Sequence, residues 1–184
     1  MIRPLLLTIS LLLVPALQAA PPLTLSEGDH VALIGGGLGS RMGKFHHFET
    51  EVYLRHPGHK LVLRNLCDEG NTPGFRPQPG RGYEEQYAFP GAKELVRKDL
   101  QVNSRPSGHR QTPDKWLTEV SADAIIAFFG FNSSFDGRAG VERYKKELAA
   151  FVDHTLAQKY NGESAPKLVL VSPTAFENLS GRQD

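Results

Sequence analysis

The stretch "VALIGGGLGSRMG" (residues 31–43) runs an apolar segment straight into three glycines, with a serine just behind them. Glycines at 35, 36 and 37 leave backbone N–H groups uncovered where a helix would begin, and such a nest favours negative charge. Two phosphate patterns fail on this turn. A dinucleotide fingerprint starting at Gly35 and Gly37 requires glycine at the position held by Ser40, and "GSRMGKF" has one residue too few and no hydroxyl after its lysine for a P-loop. The turn either faces an anionic or developing negative charge, or it only reverses the chain sharply.

Other candidate residues lie where apolar segments end. Ligands of open parallel sheets bind beyond the carboxyl ends of the strands. Four such ends are legible, at residues 35–37, 67–70, 130–133 and 172–174, and three of them carry glycine. Asn132, in "GFN", follows an apolar strand directly. Its amide is a donor for an oxyanion, a role that contributes roughly 3–4 kcal/mol when the donor is well placed. Gly70, in "CDEGNT", adds a backbone N–H. Ser40 is either a substitute nucleophile or a serine of the first helical turn. Ser133 and Ser134 line the same pocket or merely make a loop polar. Of the seven histidines, His30 opens a strand at the end away from the cleft, and His46 and His47 sit behind the glycine turn within possible reach of it. His154 falls on an exposed helix face. No histidine pair has metal-site spacing with a carboxylate, and no cofactor is implied. Trp116 and Tyr87 read as packing residues.

The elements that must position these residues alternate. Strands are expected at 29–35, 60–66, 122–132 and 167–173. Helices are expected at 40–54, 91–100 and from Pro113 with Thr112 as cap. A long amphipathic helix over 141–159 would present Val141, Tyr144, Leu148, Phe151 and Thr155 on one face. Continuous apolar strands alternating with helices predict an α/β fold, a parallel sheet covered on both faces as a three-layer sandwich. Residues 68–115 hold six of the 13 prolines, which excludes long regular structure there, and the scattered aromatics favour an ordered excursion. The polar residues after the last strand suggest that the sheet is C-terminally truncated at Asp184.

Length and charge narrow the class. At 184 residues the chain suits one domain with a real core. "MIRPLLLTISLLLVPALQAAPP" has the charge, apolar run and small residues of a signal peptide over residues 1–20, with an uncleaved anchor as the alternative. Its apolar run is too short for a stable membrane span. Without residues 1–20 the chain carries 20 basic and 20 acidic residues, so no electrostatic footprint for nucleic acid remains. Cys67, the single cysteine, permits no internal disulfide and reads as a buried, inert thiol. The expected location is exported, periplasmic or secreted.

Taken together, "VALIGGGLGSRM", "LVLRNLCDEGNT" and "AIIAFFGFNSSF" resemble blocks I, II and III of the SGNH (GDSL-like) hydrolases. The resemblance spans residues 29–180. It looks closest to SGNH-like domains of exported proteins from planctomycete-type bacteria, some of them fused to haem-binding or dehydrogenase-type modules. It places the Gly-Asp-Ser-Leu block on Gly35, Gly36, Gly37 and Leu38, the block II glycine on Gly70, and Gly-x-Asn on Gly130 and Asn132. It implies an ester or acyl hydrolase, with carbohydrate-borne esters among its expected substrates and Gly37, Gly70 and Asn132 around the oxyanion. The chain departs from the family at two points. The nucleophilic serine is replaced by Gly37, and no Asp-x-x-His block follows Ser172. Two functions are therefore expected: a hydrolase using a substitute nucleophile or an activated water, or a catalytically inactive module that holds a glycan or acyl ligand.

Overall fold

The computed structural model describes residues 22–78, 80–100 and 111–174. The signal-peptide reading of residues 1–20, His109 and the residues after Thr174 lie outside them. The protein is α/β. Strands β1 (His30–Gly35), β2 (Val62–Asn65), β3 (Ala124–Phe128) and β4 (Lys167–Val171) form one all-parallel sheet in the order β2-β1-β3-β4. Register is set by pairs such as His30↔Val62, Gly35↔Phe128 and Phe128↔Val171.

Alternation along the strands builds two cores. Val31, Leu33, Leu63, Ala124, Ile126 and Phe128 point to one face, where Met42, Phe48 and Val52 pack on them. These come from α1 (Gly37–Phe45) and α2 (His47–Arg55). Ala32, Ile34, Ile125, Ala127 and Phe129 point to the other face. That face is covered by α3 (Ala92–Leu95), α4 (Pro113–Glu119) and α6 (Gly137–Leu156), with the one-turn helix α5 (Phe131–Ser134) between β3 and α6. The period-two pattern of strands buried on both sides thus produces the three layers.

Several local expectations are refined. The helix expected at 40–54 is two helices, because His46 adopts a left-handed φ of 55° while its N–H still reaches Met42 O at 3.1 Å. The segment 91–100 is only the short α3 and a 3-10 turn at Lys98–Leu100. The strand expected at 122–132 ends at Phe128. Gly130, at φ 111°, turns the chain into α5, so Asn132 sits on a helical turn rather than a strand tip. On α6 the buried stripe is Gly140, Glu147, Phe151 and Thr155, while Val141 is exposed. Glu147 occupies that stripe because its Oε1 accepts from Thr72 Oγ1 at 2.5 Å and from Gly74 N at 2.7 Å. The N-terminus of α4 is as read: Thr112 Oγ1 accepts from Lys115 N at 3.2 Å, with Pro113 next.

The described part of the long excursion contributes to the core. Phe75, Tyr87, Ala88, Phe89, Ala92 and Val96 are all buried. Arg76 lies 5.3 Å from the ring centres of both Phe129 and Phe151, and Arg81 stacks 4.2 Å above Trp116. Burial pushes the Arg76 guanidinium down to about 10. His154 is half-buried rather than exposed, its Nε2 3.0 Å from Asp114 Oδ1 and its ring against Phe89.

Candidate functional site

β1 lies between β2 and β3, and the chain leaves β1 towards β2 over one face but leaves β3 towards β4 over the other. The carboxyl ends of β1 and β3 are therefore the topological switch point, where a crevice opens in parallel sheets. The glycine turn and the Gly130 turn meet there.

The local geometry follows from backbone requirements. Gly35 has φ 122°, and a Cβ on it would stand 2.3 Å from Phe128 O. Only glycine allows β1 to end this close to β3, and the approach is sealed by Gly36 N donating to Phe128 O at 2.8 Å. Gly39 is needed for a different reason. A Cβ there would stand 2.3 Å from Cys67 Sγ, so α1 packs directly on the thiol. Cys67 is half-buried rather than buried as expected; desolvation, the largest effect on it, still pushes its thiol up to about 12.

The end of β2 is tied to the end of β1 by two bonds to one carbonyl. Asp68 N and Asn71 Nδ2 donate to Gly35 O at 2.9 and 3.1 Å. The end of β3 is tied to the same turn, since Asn132 Nδ2 donates to Asn71 O at 3.0 Å. Three strand ends are thus joined around one opening. That bond uses one hydrogen of the Asn132 amide and leaves a second donor and the carbonyl oxygen.

The opening is a cavity of about 340 Å³ lined by Gly37, Leu38, Arg41, Glu69, Gly70, Phe128, Phe129, Phe131, Asn132 and residues 171–174. Its walls are mainly apolar, with a few polar groups converging, the usual constitution of a small-molecule site. Of the four residues expected from sequence, Gly37, Gly70 and Asn132 line this cavity and Ser40 does not. Ser40 N closes the first helical bond of α1 to Gly36 O at 3.2 Å, which leaves the Gly37 and Leu38 N–H groups without a helical acceptor. Ser133 and Ser134 also lie outside the lining, and Ser134 Oγ donates to Phe131 O at 2.6 Å.

Arg41 and Glu69 were not foreseen as site residues. Both are exposed and charged, and such residues are common on any solvated loop or helix; the one available signal for Glu69 was its place directly before Gly70. Neither forms an ion pair with another described residue. Among the described residues no histidine lines the cavity: His46 stands 3.5 Å from Glu49, and His30 Nδ1 is 2.7 Å from Val120 O at the opposite end of the sheet. Among the described residues no group of three or more histidine, cysteine or carboxylate side chains could hold a metal, and no helix is long and apolar enough to cross a membrane. Compared with protein-family models, curated proteins and solved structures, the chain matches none.

Proposed function

We propose that the cleft binds an ester or acyl group and that the domain is an ester or acyl hydrolase of the SGNH type, lacking the usual serine nucleophile. The observation that carries this reading is the convergence of Gly37, Gly70 and Asn132, from three different strand ends, on one cavity. The acyl chain would lie against Leu38, Phe128 and Phe131. The carbonyl oxygen would face the second N–H of Asn132 and the backbone N–H of Gly70, donors aimed where negative charge develops. The sequence blocks noted above agree with this assignment of roles. The N-terminal charge and apolar pattern supports export, with a small or carbohydrate-borne ester as the ligand class and fused haem-binding or dehydrogenase-type modules as possible neighbours.

Replacing Asn132 by alanine tests the reading. Turnover of 4-nitrophenyl butyrate should fall about 100-fold or more, and unchanged turnover would count against it.

A second reading is favoured by Gly37 itself, which has no atom able to form an acyl-enzyme. In that case the cleft holds its ligand without turnover. A Cβ at Gly37 would meet only Glu69 Cγ, at 3.9 Å, so Gly37→Ser fits without displacement. Binding of 4-nitrobutyranilide, a slowly hydrolysed amide analogue, should survive that change, whereas a large loss of affinity would argue against a binding module open at Gly37.

A further inference from the structure

We propose that Glu69 is the general base of a direct hydrolysis, acting on a water held in the space where a side chain would project from Gly37. The inference rests on the hydrolase reading above and names the group that replaces the missing nucleophile and base.

The position is specific. A Cβ built on Gly37 has one heavy-atom neighbour within 4 Å outside its own chain neighbours and helix backbone, and that neighbour is Glu69 Cγ at 3.9 Å. The stem of Glu69 therefore borders the space that a side chain at Gly37 would fill, with the carboxylate one carbon further along. It lines the same cavity as Gly70 and Asn132. Its backbone is held on both sides by the last residue of β1. Asp68 N donates to Gly35 O at 2.9 Å and Asn71 Nδ2 to the same oxygen at 3.1 Å, while Glu69 N donates to Asp68 Oδ1 at 2.8 Å. Its carboxylate forms no ion pair or hydrogen bond with another described residue, so it is not committed elsewhere.

Alternatives within the cavity lack a partner. Ser172 and Thr174 supply hydroxyls, but among the described residues no histidine lines the cavity to activate them. Cys67 lies behind Gly39, and its thiol is held neutral by burial. A carboxylate whose stem borders that space can act on a water there without any of these.

The chemistry balances with water as the second substrate. The water oxygen forms a bond to the ester carbonyl carbon as Glu69 takes one of its protons. The carbonyl π pair moves to oxygen, opposite Asn132 and Gly70. Collapse of the tetrahedral species reforms the carbonyl and breaks the bond to the alcohol oxygen, which leaves with the proton returned by Glu69. The products are one acid and one alcohol, and no acyl-enzyme forms.

The test compares wild type with Glu69→Gln, an exposed position where the change keeps size and fold. It measures turnover of 4-nitrophenyl butyrate, binding of 4-nitrobutyranilide by saturation-transfer NMR, and the intact mass of the protein during turnover. General-base catalysis predicts that kcat falls about 100-fold or more in Glu69→Gln, that anilide binding is retained, and that no acyl adduct appears. Wild-type turnover in Glu69→Gln overturns the proposal, as does an acyl adduct on any serine. Wild type that binds the anilide but does not hydrolyse the ester removes the role of Glu69 and leaves the acyl cleft standing. Absence of binding overturns the cleft reading as well.

Discussion

Asn132 Nδ2 donates to the main-chain carbonyl of Asn71 at 3.0 Å, so the residue beyond β3 is held in place by the turn beyond β2. Asn71 in turn donates to Gly35 O at 3.1 Å. The cleft therefore takes its shape from a short chain of polar contacts linking three strand ends, with Asn71 in the middle and buried.

Asn71→Ala should damage stability and the site together. It removes one of the two donors to Gly35 O, leaving Asp68 N in place, a loss of about 0.5–1.5 kcal/mol, and it loosens the turn whose carbonyl holds Asn132. The chemical-denaturation midpoint should drop, and ester turnover should drop with it; loss of stability alone would detach Asn71 from positioning Asn132.

The glycines of the turn should differ sharply. Gly35→Ala places a Cβ 2.3 Å from Phe128 O at φ 122° and should be strongly destabilising, whereas Gly37→Ala meets only Glu69 Cγ at 3.9 Å and should leave the unfolding midpoint nearly unchanged. Equal tolerance at both positions would contradict the close approach of β1 and β3. Gly39→Ala tests the packing on the other side of α1. Its Cβ would stand 2.3 Å from Cys67 Sγ, so Cys67→Ala should relieve part of its cost, a coupling that a double-mutant cycle measures directly.

This glycine turn was the most legible part of the molecule, and the reasons are physical. Strands β1 and β3 are buried on both faces, so their apolar runs announce them, and each must end in a residue permitting close backbone approach. Gly35 meets that need at the end of β1, and Gly130, at φ 111°, turns the chain two residues beyond β3. Less visible was whatever depends on tertiary contacts. The break between α1 and α2 rests on a left-handed His46, which leaves the apolar period of three and four intact. The polar member of the α6 stripe, Glu147, is buried only because Thr72 and Gly74, far away in sequence, supply its donors. Ser40 has the right chemistry one helical turn too late, and Glu69, whose stem borders the space beside Gly37, resembles any exposed loop carboxylate.

Glu147 offers a further check. Burial raises its pKa, so its charge is a cost of the fold, whereas its two accepted hydrogen bonds support it. Glu147→Gln keeps an acceptor and removes the charge, and should be close to neutral at pH 7. Glu147→Leu strands Thr72 Oγ1 and Gly74 N and should cost on the order of 2 kcal/mol. Thermal unfolding of the two variants distinguishes them, and equal losses would contradict this division.

The Cys67 thiol gives a pH dependence with a definite sign. Its folded pKa, about 12, is raised from an ordinary value near 9.0, so the folded state keeps a proton that the unfolded state releases. Its contribution to stability should fall as pH rises from about 9 towards about 12. Cys67→Ala should flatten that part of the stability profile, and a thiol reagent at pH 8 should label native protein far more slowly than unfolded protein. Rapid native labelling would contradict the shielding of the thiol by α1.

The central claim is that an acyl ligand sits at the carboxyl ends of β1, β2 and β3. The most direct measurement is a backbone-amide NMR titration with 4-nitrobutyranilide. The account predicts shifts concentrated at Gly37, Leu38, Gly70 and Asn132. Saturating shifts elsewhere, or none at these four amides, would contradict it.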